Sequence, residues 1–284
     1  MTLLLPMNET LPPGLYIVAT PIGNLGDLSP RAARVLAGVS LVLAEDKRVS
    51  ARLLAHAGAS VPMRTYNDHS DEADRAGVVA RLGNEAIALV SDAGTPLISD
   101  PGYKLVRDAR AAGHDVFTIP GPCAAVAALT LAGLPTDRFL FIGFLPPKEK
   151  ARADALAEIA GVRASLVFYE SGPRLGASLA SLAAVLGPRE AAVARELTKL
   201  HEECVTGTLP ELAERYRNLA PKGEIVVVVG PPAAAPPPSE DDLDQALRDL
   251  LASGESPSRA AATVSQQLGI KRKLVYDRAL QLAK

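Results

Sequence analysis

The chain has 284 residues, 48% of them hydrophobic and 22% charged, with a formal net charge of −2 and no tryptophan. This length and apolar fraction allow two domains or one large core with an appendage, and exclude a broadly disordered chain. The near-neutral balance names no polyanion partner, few aromatics exclude extensive stacking platforms for single-stranded nucleic acid, and two cysteines with four scattered histidines offer no zinc spacing.

Two thiols in a chain of this length fit a reducing compartment. The opening M-T-L-L-L-P-M-N-E-T has three leucines before Pro6 and no basic stretch, unlike a signal peptide. No apolar run approaches the ~20 residues of a membrane span. A soluble, cytoplasmic protein is expected.

Gly14 to Ala19 reads as a strand, and Ser29 followed by Pro30 reads as the cap and first position of a helix. Val39 to Ala44 is a second strand, running into Glu45-Asp46-Lys47-Arg48, with a helix from Val49 to near Gly58. A helix over 71–83 precedes a short apolar strand, Ala86 to Val90, of the kind buried on both faces. Helix 103–112, strand 115–119 and an alanine-rich helix from Cys123 to about Leu131 complete a series of strand–helix units, the pattern of a mostly parallel α/β sheet. Near residue 135 the pattern resets. Strands are expected at 139–144, 165–169, 191–195, 201–206 and 225–229, and helices at 148–160, 174–186 and 209–218. A second α/β domain with a mixed sheet over 135–232 follows from this, after a first over 14–134.

Pro231 to Pro238 reads as an extended linker. Beyond it, residues 240–256 carry six acids and one arginine, and residues 257–284 carry six basic residues and one aspartate. Leu268-Gly269-Ile270 separates two helical stretches, a helix-turn-helix outline with Lys271, Arg272 and Lys273 opening the second helix. The alternative is a small solvated helical cap.

The densest stretch is Ser91 to Gly102. Between Asp92 and Gly102 lie two glycines, two prolines, two aspartates and two hydroxyl residues. Glycine lets a ligand approach the backbone closely and proline stiffens the loop. Asp92 stands where a parallel strand ends, the edge at which open α/β sheets bind ligands. An ordinary strand-to-helix connection is the alternative. Five further loops follow apolar runs: 20–27, 45–48, 119–124, 169–174 and 195–199. On parallel strands they would gather at one sheet edge and build a cleft. No G-x-G-x-x-G follows the first strand, and the chain contains no P-loop and no G-x-S-x-G elbow.

Seven segments occur in order: A-T-P-I-G-N-L-G-D-L-S, A-E-D-K-R, S-D-A-G-T-P-L-I-S-D-P-G, I-P-G-P-C-A-A, F-Y-E-S-x-x-R, R-E-L-T-K and P-K-G-E-I-V-V-V-V. Together they resemble the tetrapyrrole-methylase superfamily over about residues 14–230. More closely, they resemble its branch of cytidine 2′-O-methyltransferases acting on small-subunit rRNA. The tail S-R-A-A-A-x-V-S-x-x-L-G-I-x-x-K-x-x-Y resembles that branch's C-terminal module. Two positions depart from the family pattern: Lys47 stands where Thr is expected, and Gly172-Pro173 where a Pro-His pair is expected before Arg174.

The resemblance implies two α/β domains binding S-adenosylmethionine in a non-Rossmann manner, with no metal, in a homodimer that methylates 16S rRNA. Carried over by position, the cofactor would touch Pro21, Asp92, Ala93, Gly94, Thr95, Cys123, Ala124, Tyr169, Leu197, Gly223 and Glu224. Cys123 reads equally as a small core residue, and Tyr169 as a plain strand residue. Methyl transfer to a 2′-hydroxyl depends chiefly on alignment of oxygen, carbon and sulfur, worth up to ~7–11 kcal/mol. A carboxylate base adds roughly 10²–10⁴-fold. Asp46, Asp100 and Glu170 are the candidate bases, each alternatively a helix cap or ion-pair partner. Asn24, Arg48, Arg174 and Lys199, with Arg259, Lys271, Arg272 and Lys273 of the tail, are the candidate RNA contacts. Two other readings remain at this point: a C-methyltransferase of a tetrapyrrole, and a non-catalytic RNA-binding assembly factor.

Overall fold

A computed structural model describes residues 10–67, 72–233 and 239–283. The opening residues and most of the Pro231–Pro238 segment lie outside the described residues. The chain divides into two compact units, Met1–Pro232 and Ala233–Lys284.

The first unit holds two five-stranded sheets. Its first half runs β1 (Gly14–Val18), α1 (Pro30–Gly38), β2 (Leu41–Ala44), α2 (Lys47–His56), β3 (Met63–Thr65), α3 (Glu72–Arg81), β4 (Ala86–Val90), α4 (Tyr103–Ala111) and β5 (Val116–Ile119). All strand pairings in this sheet are parallel, in the order β3-β2-β4-β1-β5. α1 and α2 bury Val35, Leu36, Leu53 and Leu54 on one face, and α3 and α4 bury Val78, Leu82 and Leu105 on the other. Strands covered on both faces must be apolar throughout, hence the unbroken Ala86-Ile-Ala-Leu-Val90. From the adjacent β1 and β4 the chain departs in opposite directions, to β2 and to β5. The loops after these two strands therefore open a crevice at the sheet's carboxyl edge.

α5 (Ala124–Leu131) follows β5 in sequence yet packs on the second sheet, where Ala125, Ala128 and Leu129 meet Val167, Ala192, Ala194, Val226 and Val228. Small side chains on both surfaces allow that close approach. The second half continues β6 (Phe139–Phe144), α6 (Glu149–Ile159), β7 (Ser165–Ser171), α7 (Gly172–Leu186), β8 (Glu190–Arg195), β9 (Glu203–Thr208), α8 (Leu209–Tyr216) and β10 (Glu224–Val229). The sheet order is β6-β7-β10-β8-β9, with β6–β7 parallel and the other pairings antiparallel. α6, α7 and α8 cover its outer face through Leu156, Leu175, Leu179, Leu182 and Leu212. Because β10 runs against β7 and β8, its first residues lie at the edge where those two strands end.

Several expected boundaries shift for local reasons. α2 begins at Lys47 rather than Val49, since Asp46 is its cap and accepts the Arg48 N–H at 2.8 Å. β7 extends through Ser171, paired in register with β10 up to Glu224. The strand expected at 201–206 occupies 203–208, where Glu190–Arg195 gives it a full antiparallel partner. β3, only three residues with one half exposed, carries no alternation to read. Gly172, one of the departures from the family pattern, has a physical reason: a Cβ there would lie 1.6 Å from the Pro221 carbonyl oxygen. Nothing in the structure explains Lys47.

The second unit is a three-helix bundle: α9 (Glu240–Ala252), α10 (Pro257–Leu268) and α11 (Arg272–Leu282). Leu247, Ala260, Ala261, Val264, Val275 and Ala279 form its core. Ser239 and Ser256 cap α9 and α10, and Gly269 ends α10 with φ +67°. Arg278 donates to both oxygens of the nearly buried Asp244 (2.6 and 2.7 Å), tying α11 to α9.

Candidate active site

The loops after β1 and β4 hold each other. The Thr20 N–H donates to Gly94 O (2.8 Å) and the Gly94 N–H to Thr20 O (3.1 Å). Thr95 Oγ1 then donates to Pro122 O (2.9 Å), fastening the loop after β5 to the same frame. Gly94 sits at φ +78°, with the space beside it closed by Ile22. In the same loop Leu97 and Ser99 also take positive φ (73° and 64°). Such geometry in non-glycine residues is costly and concentrates at functional sites. The loop after β8 repeats it at Glu196 (52°) and Thr198 (65°).

These loops enclose a cavity of about 410 Å³, a size typical of small-molecule sites. From the first sheet it receives Ile22, Glu45, residues 92–95, Ile98, Ser99, Asp100, Cys123 and Ala124. The second sheet adds Phe144, Tyr169, Glu170, Ser171, Leu197 and residues 223–226. One part of the lining is apolar. Tyr169 accepts the Ala125 N–H at 3.3 Å and stands edge-on to Phe141 and Phe144. Burial pushes its phenol well above the ordinary range, so it stays a neutral wall. The charged part is of one sign: Glu45, Asp92, Asp100, Glu170 and Glu224 line the cavity, and among the described residues no lysine, arginine or histidine does.

The five carboxylates are not equivalent. Glu170 is 3% exposed and fully engaged, accepting from the Ser171 N–H (2.8 Å) and the Ser178 hydroxyl and facing Arg174 Nε at 3.4 Å. Asp92 accepts the Asp46 N–H at 3.0 Å. Asp100 is pushed up to about 6. Burial is the main cause, and the neighbouring Glu45, Asp92 and Glu224 add to it against a hydrogen bond with Ser91.

A second cavity of about 460 Å³ adjoins the first and shares Ile22, Asp92, Ala93 and Glu224 with it. Thr20, Pro21, Gly23, Leu25, Val49, Ser50, Arg52, Leu53, Ser91 and Lys199 complete its lining. Lys199 lies across Gly23, where a Cβ would meet its Cγ at 2.5 Å, and its ammonium reaches Glu196 (3.0 Å) and Glu224 (3.3 Å).

Of the residues expected to hold a cofactor, ten line the first cavity and Pro21 lines the second. Of the expected bases, Asp100 and Glu170 line the first and Asp46 lines neither. The Asp46 carboxylate is held down to about 2, chiefly by its hydrogen bond from the Arg48 side chain. Among the expected RNA contacts, Arg48 is tied to Asp46, and Arg174 donates to Leu145 O beside Glu170. Asn24 caps a short turn at Leu25–Asp27 by accepting the Gly26 N–H at 3.0 Å. Arg259, Lys271, Arg272 and Lys273 are exposed on the helical unit. Sequence reasoning missed Ile22, Glu45, Ile98, Ser99, Phe144, Ser171, Ile225 and Val226 as lining residues. Glu45 stood in plain view inside A-E-D-K-R, and Phe144 just before the Pro-Pro stop.

The model of tetrapyrrole (corrin/porphyrin) methylases matches residues 14–213, and the model of the RsmI C-terminal HTH domain matches residues 237–283. A protein of Erythrobacter litoralis named ribosomal RNA small subunit methyltransferase I is 56% identical over 96% of this chain and 97% of its own length. Its namesake from Mesorhizobium japonicum is 47% identical over 96% and 93%. The chain belongs to the tetrapyrrole methylase family, in its ribosomal RNA small subunit methyltransferase I branch. Among tetrapyrrole methylases of known structure, uroporphyrin-III C-methyltransferase of Thermus thermophilus, solved with S-adenyl homocysteine, shares the fold. Its TM-score is 0.53 and its identity 23%, over 76% of this chain and 97% of that one. The family fold thus accounts for two sheets with one shared edge, and the branch for the helical unit. Among the described residues no cluster could hold a metal ion, and no helix is long and apolar enough to cross a membrane.

Proposed function

We propose that this chain transfers a methyl group from S-adenosylmethionine to the ribose 2′-oxygen of a cytidine in 16S rRNA, as a cytoplasmic homodimer. The family and the name of its relatives support S-adenosylmethionine-dependent methylation of small-subunit rRNA. The observation that carries the site assignment is the lining of the first cavity: among the described residues, five carboxylates, no cationic side chain, and an apolar wall. A sulfonium with an ammonium on one arm and an adenosine on the other fits that lining, whereas an anionic ligand does not.

Bound there, S-adenosylmethionine supplies an activated methyl group on a positively charged sulfur. The chain's own residues do the rest. Gly94 and Thr95 give close backbone approach, fixed by the Thr20–Gly94 and Thr95–Pro122 bonds. Asp92 stands on the wall shared by both cavities. In-line displacement at that methyl would need an acceptor hydroxyl held against it and relieved of its proton, and both tasks fall to residues of this chain. The hydroxyl proton passes to Asp100, whose carboxyl burial pushes up to about 6 and which contacts Ser91, a residue lining the second cavity. Asp46 and Glu170 serve instead as a helix cap and as the anchor of β7 on α7.

The exposed cations at the start of α11 support RNA as the acceptor. The test is methyl transfer from labelled S-adenosylmethionine to undermodified small subunits and, in parallel, to uroporphyrinogen. Label on RNA alone agrees with the reading. Label on the tetrapyrrole alone contradicts it. Sedimentation tests the dimer.

A further inference from the structure

The second cavity has no role yet, and its lining has three features that belong together. Ser50 lies on α2, is 2% exposed and lines this cavity, and its Oγ is buried without a hydrogen-bond partner among the described residues. A helical serine ordinarily satisfies its hydroxyl on the carbonyl one turn back, but Ser50 does not bond Asp46 O in this way. An orphaned hydroxyl destabilises a fold, so its presence calls for an explanation. At the rim, Leu25 and Val49 are apolar and 44% and 43% exposed, a flat surface against which a base can lie. Arg52, also on α2, is exposed beside them. The cavity shares Ile22, Asp92, Ala93 and Glu224 with the first cavity, so the occupants of the two would adjoin.

We propose that this second cavity receives the acceptor nucleotide, with the Ser50 hydroxyl as its buried hydrogen-bond partner, Leu25 and Val49 against its base, and Arg52 at the flanking phosphate. The assignment rests on the rRNA reading above and extends it to named residues. Recognition by a buried, otherwise unpaired group is discriminating, because a ligand lacking the matching group leaves it unpaired. The surface cations on the tail position RNA without reading it. Ser50 is the element of the site that selects a particular nucleotide.

The test compares wild type with Ser50→Ala and Leu25→Ala, using undermodified small subunits as acceptor. Three quantities are read: KM and kcat for the subunits, the dissociation constant of S-adenosylmethionine by calorimetry, and the thermal midpoint. Ser50→Ala removes an orphan, so its thermal midpoint holds or rises. Its KM for the subunits rises about 3–30-fold, the loss expected for one substrate hydrogen bond. Its affinity for S-adenosylmethionine stays within about twofold of wild type. Leu25→Ala raises the same KM about threefold or more, as for loss of part of a stacking surface. An active wild type whose two variants keep its KM overturns the assignment. So does a Ser50→Ala protein that loses thermal stability and cofactor affinity together, the mark of a structural serine. A wild type that binds S-adenosylmethionine and methylates no subunit overturns the rRNA reading itself, and the nucleotide assignment falls with it.

Discussion

Asp46 and Asp100 carry the same side chain and stand in opposite surroundings. Asp46, partly exposed, accepts from the Arg48 side chain and backbone N–H and caps a helix, which holds its pKa to about 2. Asp100 is half-buried among carboxylates and titrates near 6. A base must be deprotonated to work, so kcat/KM falls as pH drops through about 6, and Asp100→Asn abolishes that limb at a loss of about 10²–10³-fold in kcat; a pH–rate series checks both. The linkage to stability has a definite sign. With a folded-state pKa above the ordinary carboxylate value, the native state binds the proton more tightly between about pH 4 and 6, so stability falls as pH rises through that window and is level above it. Asp100→Asn therefore raises the thermal midpoint at pH 8 and not at pH 4. Asp46→Ala does the reverse of what a catalytic change would do: it lowers the midpoint by loss of the cap and leaves turnover within about threefold. Both aspartates were visible in the sequence as candidates. Their difference was not, because it arises from Arg48 two residues away in one case and, in the other, from burial to which Glu45, Asp92 and Glu224 of two sheets add.

Among the elements, those with local signals were legible and those that depend on partners were not. Ser29-Pro30 marks a helix start that the structure realises as a side-chain cap. The alternation of apolar runs with helices gave the parallel sheet, and the dense loop after β4 lines the first cavity. The two positive-φ residues Leu97 and Ser99 carried no sequence signal, since neither is a type that favours that conformation. Nor did the packing of α5 across to the second sheet, which depends on small residues in strands far along the chain. Gly94 shows the loop's rigidity. Gly94→Ala places a Cβ 3.2 Å from Ile22 at φ +78°, costing about 1–2 kcal/mol of stability and weakening S-adenosylmethionine binding in parallel; thermal melts and calorimetry check the pair. At the start of α11, Lys271, Arg272 and Lys273 oppose the helix macrodipole, and no side chain caps that end. An arrangement unfavourable to the isolated helix favours a phosphate placed there.

Across the whole molecule, the two cavities and the exposed basic cluster lie in different units. The first unit supplies both cavities, and the second supplies exposed cations on a small core fastened by Asp244 and Arg278. Removing residues 236–284 therefore weakens RNA binding and leaves S-adenosylmethionine affinity unchanged. Replacing Lys271, Arg272 and Lys273 by Ala weakens binding to all RNA sequences alike and lowers the salt slope of log K by about one for each phosphate left without its cation; titrations at several salt concentrations measure it. Net charge concealed this division, because the six acids of 240–256 offset the six bases of 257–284 in the total. The order of the seven motifs revealed the family, while the carboxylate lining of the cavity emerged only when loops from both sheets were brought together. The most direct test of the central claim is to label undermodified small subunits with methyl-labelled S-adenosylmethionine and to map alkali-resistant linkages in the 16S rRNA. Label in a single resistant dinucleotide with cytidine on its 5′ side is the predicted result. Label released as alkali-sensitive mononucleotide, on the base rather than the ribose, contradicts it.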